Sequence, residues 1–130
     1  MRFPWRAAAA ASLLAACTTA PRPDADETIN TVPTGVKPDI IAFLRTYLND
    51  PTRIRDAALS DPVLKPVGDR QRYVVCLRFN ARDSDGRYTG SKTRLVVFTH
   101  GRLDSFSEQA RETCKDVDLK PFPELEALKR

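Results

Sequence analysis

The sequence predicts an α+β fold, with an N-terminal helix or two short helices followed by a three-stranded antiparallel meander, all stapled by one disulfide. Three observations support this prediction. Apolar residues recur at helical spacing after Pro38, and from Gln71 onward the period changes to that of a strand. Cys76 and Cys114 form a single cysteine pair in the same region. Helices that precede strands, rather than alternate with them, favour this class over a parallel sheet.

The predicted first helix begins at Pro38-Asp39, because proline is tolerated in a first turn and an acidic residue there suits the helix dipole. Its apolar face consists of Ile40, Ile41, Phe43, Leu44, Tyr47 and Leu48. Asn49-Asp50-Pro51 ends this helix and can cap a shorter second one. The apolar residues of that second helix are Ile54, Ala57, Ala58 and Leu59. Asp61-Pro62 and Lys65-Pro66 then break the helical pattern.

Three strands are expected after Gln71. The core-facing residues of the first strand are Tyr73, Val75, Leu77 and Phe79. The second strand, residues 94–99, is too apolar on both sides to be freely exposed. His100-Gly101-Arg102 is a predicted tight turn into a third short strand, residues 103–106. Together these strands form the meander.

The C-terminal part is predicted to return to the sheet. Ser107 can cap a last helix, residues 108–113, which brings Cys114 beside the first strand. The final segment begins at Pro121, and its apolar side chains are expected to pack as a lid. These are Phe122, Leu125 and Leu128.

Cys76 and Cys114 are predicted to form a disulfide, because an even pair in an oxidising compartment is typical of one. Closing a loop of this length stabilises a domain by about 4 kcal/mol in the chain-entropy description. A metal site would need further ligands, and the chain has only one histidine. A redox pair usually has the spacing Cys-x-x-Cys, which is absent.

The N-terminus predicts export. A basic start with Arg2 and Arg6 leads into an apolar run, residues 7–16, of the kind found in secretory signal peptides. The run is about half of the roughly 20 apolar residues that a membrane-spanning helix needs. Leu14-Ala15-Ala16-Cys17 resembles the lipobox of bacterial lipoproteins, which implies that Cys17 is lipidated and becomes the first residue of the mature protein. Two or more acyl chains suffice for stable membrane anchoring.

These features predict three regions: a lipoprotein signal peptide (1–16), a lipidated cysteine with a disordered tether (17–36), and a single small globular domain (37–130). Thr18 follows the cysteine where an aspartate would resemble an inner-membrane retention signal, so the periplasmic face of the outer membrane is expected, with the inner membrane as the alternative. Loss of Arg2 and Arg6 lowers the formal charge from +4 to +2. That near-neutral balance argues against nucleic-acid binding, which favours a clustered basic face.

The loop between the first two strands, residues 80–92, is the stretch richest in polar functional groups. Its candidate binding residues are Arg82, Asp83, Asp85, Arg87 and Tyr88. Asp83-Ser84-Asp85-Gly86 resembles the middle of a calcium loop, but the first and twelfth ligand positions would be Ala81 and Lys92, so no metal is expected. The alternative is structural: Asp-Gly supplies a turn, while Tyr88 and Arg82 hold the loop against the sheet.

No catalytic residue is assigned from the sequence. His100 is the only histidine and would be the general base of any acid–base mechanism near neutral pH, yet a turn explains it equally well. Carboxylate pairs such as Asp83/Asp85 are expected to be solvated surface charge. No cofactor is predicted.

Arginine is abundant in the helical and first-strand segments. The residues are Arg45, Arg53, Arg55, Arg70, Arg72, Arg78 and Arg82. Guanidinium groups bind carboxylates bidentately, so an acidic envelope partner or peptidoglycan carboxylates are candidate ligands. The alternative is that nearby aspartates pair with them locally. These aspartates are Asp50, Asp56, Asp61 and Asp69.

Two stretches of the chain, residues 48–57 and 75–90, resemble small uncharacterised lipoproteins of alphaproteobacteria. The shared features are an acidic-Pro helix start followed by Arg-Asp, and a cysteine-containing strand that runs into an Asn-Ala-Arg/Lys loop ending Tyr-Thr-Gly. The resemblance spans roughly residues 40–125. It implies an envelope lipoprotein and assigns no catalytic residue.

The sequence therefore predicts a non-enzymatic interaction or accessory module, tethered to the membrane by lipid on Cys17. An envelope protein or peptidoglycan is the expected partner. Two alternatives remain: a small peptidoglycan-directed enzyme with His100 as base, and a binder that inhibits lysozyme-like enzymes. The mature charge of +2 disfavours the inhibitor, because many lysozymes are basic.

Overall fold

The computed structural model describes Pro4, Cys17 and residues 28–130, so the predicted signal peptide and most of the predicted tether lie outside the described residues. The described part is an α+β fold with a six-stranded antiparallel sheet. Its elements, in chain order, are α1 (Val36–Tyr47), β1 (Arg55–Leu59), β2 (Val63–Val67), β3 (Arg70–Asn80), β4 (Lys92–Thr99), β5 (Arg102–Ser107), β6 (Lys120–Pro121) and α2 (Pro123–Glu126).

The long strand β3 organises the sheet, whose order is β5-β4-β3-β1-β6. One edge of β3 pairs with β4 from Tyr73 to Phe79. The opposite edge is shared, because β2 pairs with the first half of β3 and β1 with the second half. Strands β1 and β2 therefore follow each other along one side of β3. Ser60 lies between them in the chain and is attached to β3, because its buried Oγ accepts a hydrogen bond from the Cys76 N–H at 2.7 Å.

The predicted meander is confirmed as β3, β4 and β5, although three strands understate the sheet. The predicted turn at His100-Gly101 is also found: both residues have positive φ, 52° and 75°, as the two central residues of a type I′ hairpin require. Thr99 and Arg102 are paired directly across this turn.

Both faces of the sheet are covered, which explains why four consecutive residues of β4, 95–98, are apolar and buried. The larger core lies between the sheet and the helices, and the alternating residues predicted to face inward from β3 all belong to it or pack against it. Its most buried members are Ile40, Leu44, Leu77, Val75, Val96, Phe98, Phe122 and Leu125. The smaller core lies on the opposite face and consists of Val74, Cys76, Leu95, Val97 and Ala110.

The disulfide prediction is confirmed. Cys76 of β3 is bonded to Cys114, and the link lies on the face of the smaller core. Ala110 and Cys114 bring residues 108–119 across this face.

The second predicted helix is wrong, because residues 55–59 form strand β1. The register shifts between Arg55 and Ala58, where Asp56 has a φ of 54° and forms a β-bulge. After the bulge, Ala57, Ala58 and Leu59 are all buried in succession, because both faces of the sheet are covered. β1 lies between β3 and β6, and that tertiary burial overrides the helical preference of its alanines.

The sequence does not predict strand β2, because Pro62 and Pro66 are typical of breaks between elements. In the structure β2 pairs only with β3, and Pro66 lies opposite Gln71. A proline is tolerated on such an edge, where its missing N–H costs no ladder hydrogen bond.

The predicted helix at residues 108–113 is also wrong, since these residues form bends and turns. The expected capping bond is present, because the Ser107 Oγ accepts from the Gln109 N–H at 3.1 Å. Ala110 is the one fully buried residue of the segment, so too little apolar surface is available to stabilise a helix.

The C-terminal segment packs as predicted, with Phe122 and Leu125 completely buried and Leu128 nearly so. Polar contacts connect it to α1: the Lys37 Nζ lies 2.9 Å from a Glu124 carboxylate oxygen. The Arg45 guanidinium donates to the Lys129 carbonyl at 3.1 Å.

Residues 28–36, which the sequence assigned to the tether, contact the domain. The His100 N–H donates to the Ile29 carbonyl at 2.8 Å, and Thr31 lies against Gly101. Helix α1 begins at Val36, two residues before Pro38. The described contacts of the domain therefore begin before residue 37.

Replacing Cys76 and Cys114 together by alanine should lower the free energy of unfolding by about 4 kcal/mol, because the disulfide closes a loop of 38 residues. Urea denaturation of both proteins, with and without reducing agent, measures this. The reductant should destabilise the wild type and leave the double variant unchanged. Equal stability of the two oxidised proteins would contradict a stabilising link.

Candidate functional site

The loop after β3 is a short hairpin built on one carboxylate. Arg82 and Tyr88 form an isolated β-bridge across it. The Asp83 carboxylate accepts the N–H groups of Asp85 and Arg87 at 2.9 and 3.0 Å. The Gly86 N–H donates to the Asp83 carbonyl at 3.1 Å, and Gly86 has a φ of 79°. The Asp-Gly turn expected from the sequence is thus present, and Asp83 fixes its shape.

Arg82 joins this hairpin to the segment after α1. Its guanidinium forms an ion pair with the Asp50 carboxylate, and both side chains are mostly buried, with exposures of 22% and 15%. The Arg82 Nε is buried without a hydrogen-bond partner among the described residues. Removing either residue would leave the other as an unpaired, mostly buried charge, which would lower the stability of the fold. Arg82 and Asp50 are therefore a structural link between two segments that are 32 residues apart.

Asp50 is held mainly by its own turn. The Thr52 hydroxyl and N–H donate to one Asp50 oxygen at 2.5 and 2.9 Å. These hydrogen bonds, helped by Arg82, lower the pKa of Asp50 from 3.8 to about 2. The carboxylate is therefore charged throughout the physiological range, and it can hold both the turn and the hairpin.

Tyr88 makes the second link between the hairpin and the same segment. Its hydroxyl donates to the Arg53 carbonyl at 2.7 Å. The Arg55 guanidinium carbon lies 4.0 Å from the centre of the Tyr88 ring, a cation–π contact. Ser91 adds a third link, since its hydroxyl donates to the Asp56 carboxylate at 3.2 Å.

Backbone strain is concentrated in the segment that the hairpin contacts. Arg53 and Asp56 have φ values of 55° and 54°, in the left-handed region that side chains other than glycine rarely adopt. The contacts to Arg82, Tyr88 and Ser91 hold this shape. We call the assembled residues 50–56 and 80–91 the loop surface.

The five candidate residues therefore divide into two groups. Arg82, Asp83 and Tyr88 make internal contacts that build the loop surface. The structural alternative predicted such a role for Arg82 and Tyr88 but not for Asp83. Asp85 and Arg87 are exposed and their side chains make no hydrogen bond or ion pair with another described residue. Only these two are free to meet a ligand directly.

Most of the abundant arginines lack an acidic partner. Of the seven, only Arg82 and Arg70 pair with an aspartate among residues 28–130, and the Arg70–Asp69 distance is a loose 3.9 Å. Asp61 instead pairs with Lys120. Local neutralisation, the alternative considered from the sequence, therefore fails for Arg53, Arg55 and Arg78, which have no ion pair within the described residues.

His100 occupies the hairpin turn of β4 and β5 and is exposed. Within residues 28–130 its imidazole makes no hydrogen bond to Asp104 or Ser105. In the same part of the chain, no group of three or more histidine, cysteine, aspartate or glutamate side chains could hold a metal ion.

Sequence reasoning missed that residues 50–56 belong to the same surface as the hairpin, because Asp50 was expected to cap a helix. A signal was present: the two distinctive stretches, 48–57 and 75–90, are the segments that the structure brings together.

The chain matches no protein-family model, no curated protein and no solved structure. Across the described residues, no helix has the length and hydrophobicity needed to cross a membrane.

Replacing Asp50 by asparagine should destabilise the protein at neutral pH, because Arg82 loses its partner. The carboxylate has a folded pKa of about 2 against 3.8 unfolded, so its contribution is complete above about pH 4 and is lost as the pH falls toward 2. Denaturation of both proteins at pH 7 and pH 2.5 should show a difference in stability that shrinks at the lower pH.

The matched control is Asp69→Asn, whose side chain is 95% exposed. It should have little effect at either pH. A difference between the wild type and Asp50→Asn that is the same at both pH values would contradict the assigned role of the carboxylate.

Proposed function

We propose that this protein is a non-enzymatic interaction module of the bacterial envelope, held at the membrane by lipid on Cys17. The observation that carries the interaction role is the loop surface. Four separate contacts fix its two segments in one arrangement while Asp85 and Arg87 project from it. A surface that is ordered before binding loses less conformational entropy when a partner docks.

The anchor rests on the sequence. Leu14-Ala15-Ala16-Cys17 has the pattern of a lipidation site, and Cys17 is exposed and outside the disulfide. The outer membrane is the proposed location, because Thr18 replaces the aspartate of the retention signal. In this arrangement the acyl chains hold the protein and the domain supplies recognition.

Replacing Cys17 by serine should release the protein from the membrane, because the acyl chains have no other attachment site in this proposal. Fractionation of cells that express each protein, followed by detection of the tagged chain, measures the distribution. The Cys76→Ala/Cys114→Ala variant is the control, and whatever folded protein it yields should stay in the membrane fraction. Retention of Cys17→Ser at wild-type levels in the membrane fraction would contradict the anchor.

The interaction role is tested by crosslinking the tagged full-length protein in intact cells and identifying captured proteins and wall fragments. Reversing the two free charges, with Asp85→Lys and Arg87→Glu, should abolish capture of one dominant partner, because both side chains lie at the proposed contact. Neither substitution disturbs the Asp50–Arg82 or Tyr88–Arg53 contacts, so the fold should be retained.

Arg70→Glu is the matched control, because Arg70 is exposed and lies at the opposite end of β3. Its capture pattern should equal that of the wild type. Capture that survives both loop substitutions would show that the loop surface is not the binding site.

A further inference from the structure

Two arginines outside the five candidates lie close together without acidic partners. Arg55 of β1 and Arg78 of β3 are both exposed, and neither forms an ion pair within residues 28–130. The side chain of an exposed arginine is usually either paired with a carboxylate or mobile. Arg55 instead is held over the Tyr88 ring at 4.0 Å, which orients its guanidinium in advance of any ligand.

Strand register places both residues on one face of the sheet. Arg55 lies opposite Asn80, and Arg78 is two residues from Asn80 on the same strand. Residues two apart in a strand share a face, so Arg55 and Arg78 lie on the same face of two adjacent strands. Val74, Cys76 and Arg78 are each two residues apart in β3 and therefore share a face, so Arg78 lies on the face that carries the disulfide.

The basic region continues across the sheet to β4. Thr93 is paired with Arg78 and shares its face. Thr93 also lines an open cavity of about 750 Å³ between the start of β4 and the segment that leads to Cys114. Lys92 and Arg111 line the same cavity and have no ion pair among the described residues, while Glu108 is paired with Arg94.

We propose that Arg55, Arg78 and this cavity form an anion-binding groove whose ligand is an acidic polypeptide segment. The groove crosses three adjacent strands, β1, β3 and β4, so its cations, from Arg55 on β1 to Arg111 beside β4, are spread over about 10 Å. Such spacing suits several separate carboxylates along a chain better than one compact dianion. Guanidinium groups bind carboxylates through two parallel hydrogen bonds, and the Thr93 hydroxyl adds a neutral donor.

This inference rests on the proposed interaction role and names the chemistry of the partner. The two proposals differ in the side chains that touch the partner, which are Arg55 and Arg78 in the groove and Asp85 and Arg87 on the hairpin. Arg55 also belongs to the loop surface through its contact with Tyr88. Arg78 lies outside the loop surface, so its substitution tests the groove apart from the hairpin.

The test measures binding of a fluorescent decaglutamate peptide to the purified full-length protein by fluorescence anisotropy at low salt. Arg55→Gln and Arg78→Gln should each weaken binding about ten-fold, and the double variant should show none, because each loses a charge-assisted pair of hydrogen bonds. Circular dichroism and urea denaturation confirm that each variant is folded. Arg55→Lys should recover only part of the affinity, because it keeps the charge and loses the planar fork.

Arg70→Gln is the control for a general effect of net charge, and it should bind the peptide as the wild type does. Equal weakening by Arg70→Gln, or unchanged binding by the double variant, would overturn the groove. Binding of polyphosphate but not of decaglutamate, lost in the double variant, would overturn the assignment of a carboxylate ligand. The peptide assay uses purified protein, whereas the capture experiment uses intact cells. Failure of the peptide assay would therefore overturn the groove without contradicting a capture result that depends on Asp85 and Arg87.

Discussion

The pairing of β3 on both of its edges is the constraint on which the rest of the domain depends. One edge is taken by β4 and the other is divided between β2 and β1, so a single eleven-residue strand connects most of the sheet. Its alternate side chains also enter two different cores. Any segment that packs against either face is therefore positioned by β3. The disulfide at Cys76 fixes the C-terminal segment to this same strand.

The loop surface is a direct result of where β3 ends. The chain leaves Asn80 as a hairpin, and β1, its neighbour in the sheet, begins beside it at Arg55. The bulge at Asp56 turns the start of β1 toward the hairpin, which lets Tyr88 and Ser91 reach residues 53–56. Paired and unpaired side chains thus alternate along the hairpin. Arg82, Asp83 and Tyr88 fix the surface, while the exposed side chains of Asp85 and Arg87 have no hydrogen bond or ion pair with another described residue.

Four features could be predicted because each has its own signal in the sequence. Alternating apolar residues indicate the meander, and turn residues indicate the hairpin at His100-Gly101. The single cysteine pair indicates the disulfide, and apolar spacing indicates the buried residues of the C-terminal segment. β1 could not, because its bulge removes the period of two and burial by β6 is a long-range effect. β2 was hidden by Pro66, whose tolerance depends on being at an edge. For the loop surface, the sequence shows which residue types are present, but it does not show which of them pair with each other. Asp50 and Arg82 meet only after the chain has folded around β3.

The position of Phe122 and Leu125 has a consequence for how the chain acquires its structure. These two residues complete a core whose other members begin at Ile40, so its contacts join segments more than 80 residues apart. A growing chain cannot close that core until Phe122 and Leu125 have been synthesised, and loop-closure entropy opposes earlier collapse. If the chain is exported, as proposed, a core that closes this late leaves the preceding polypeptide unfolded and able to pass through a narrow membrane pore.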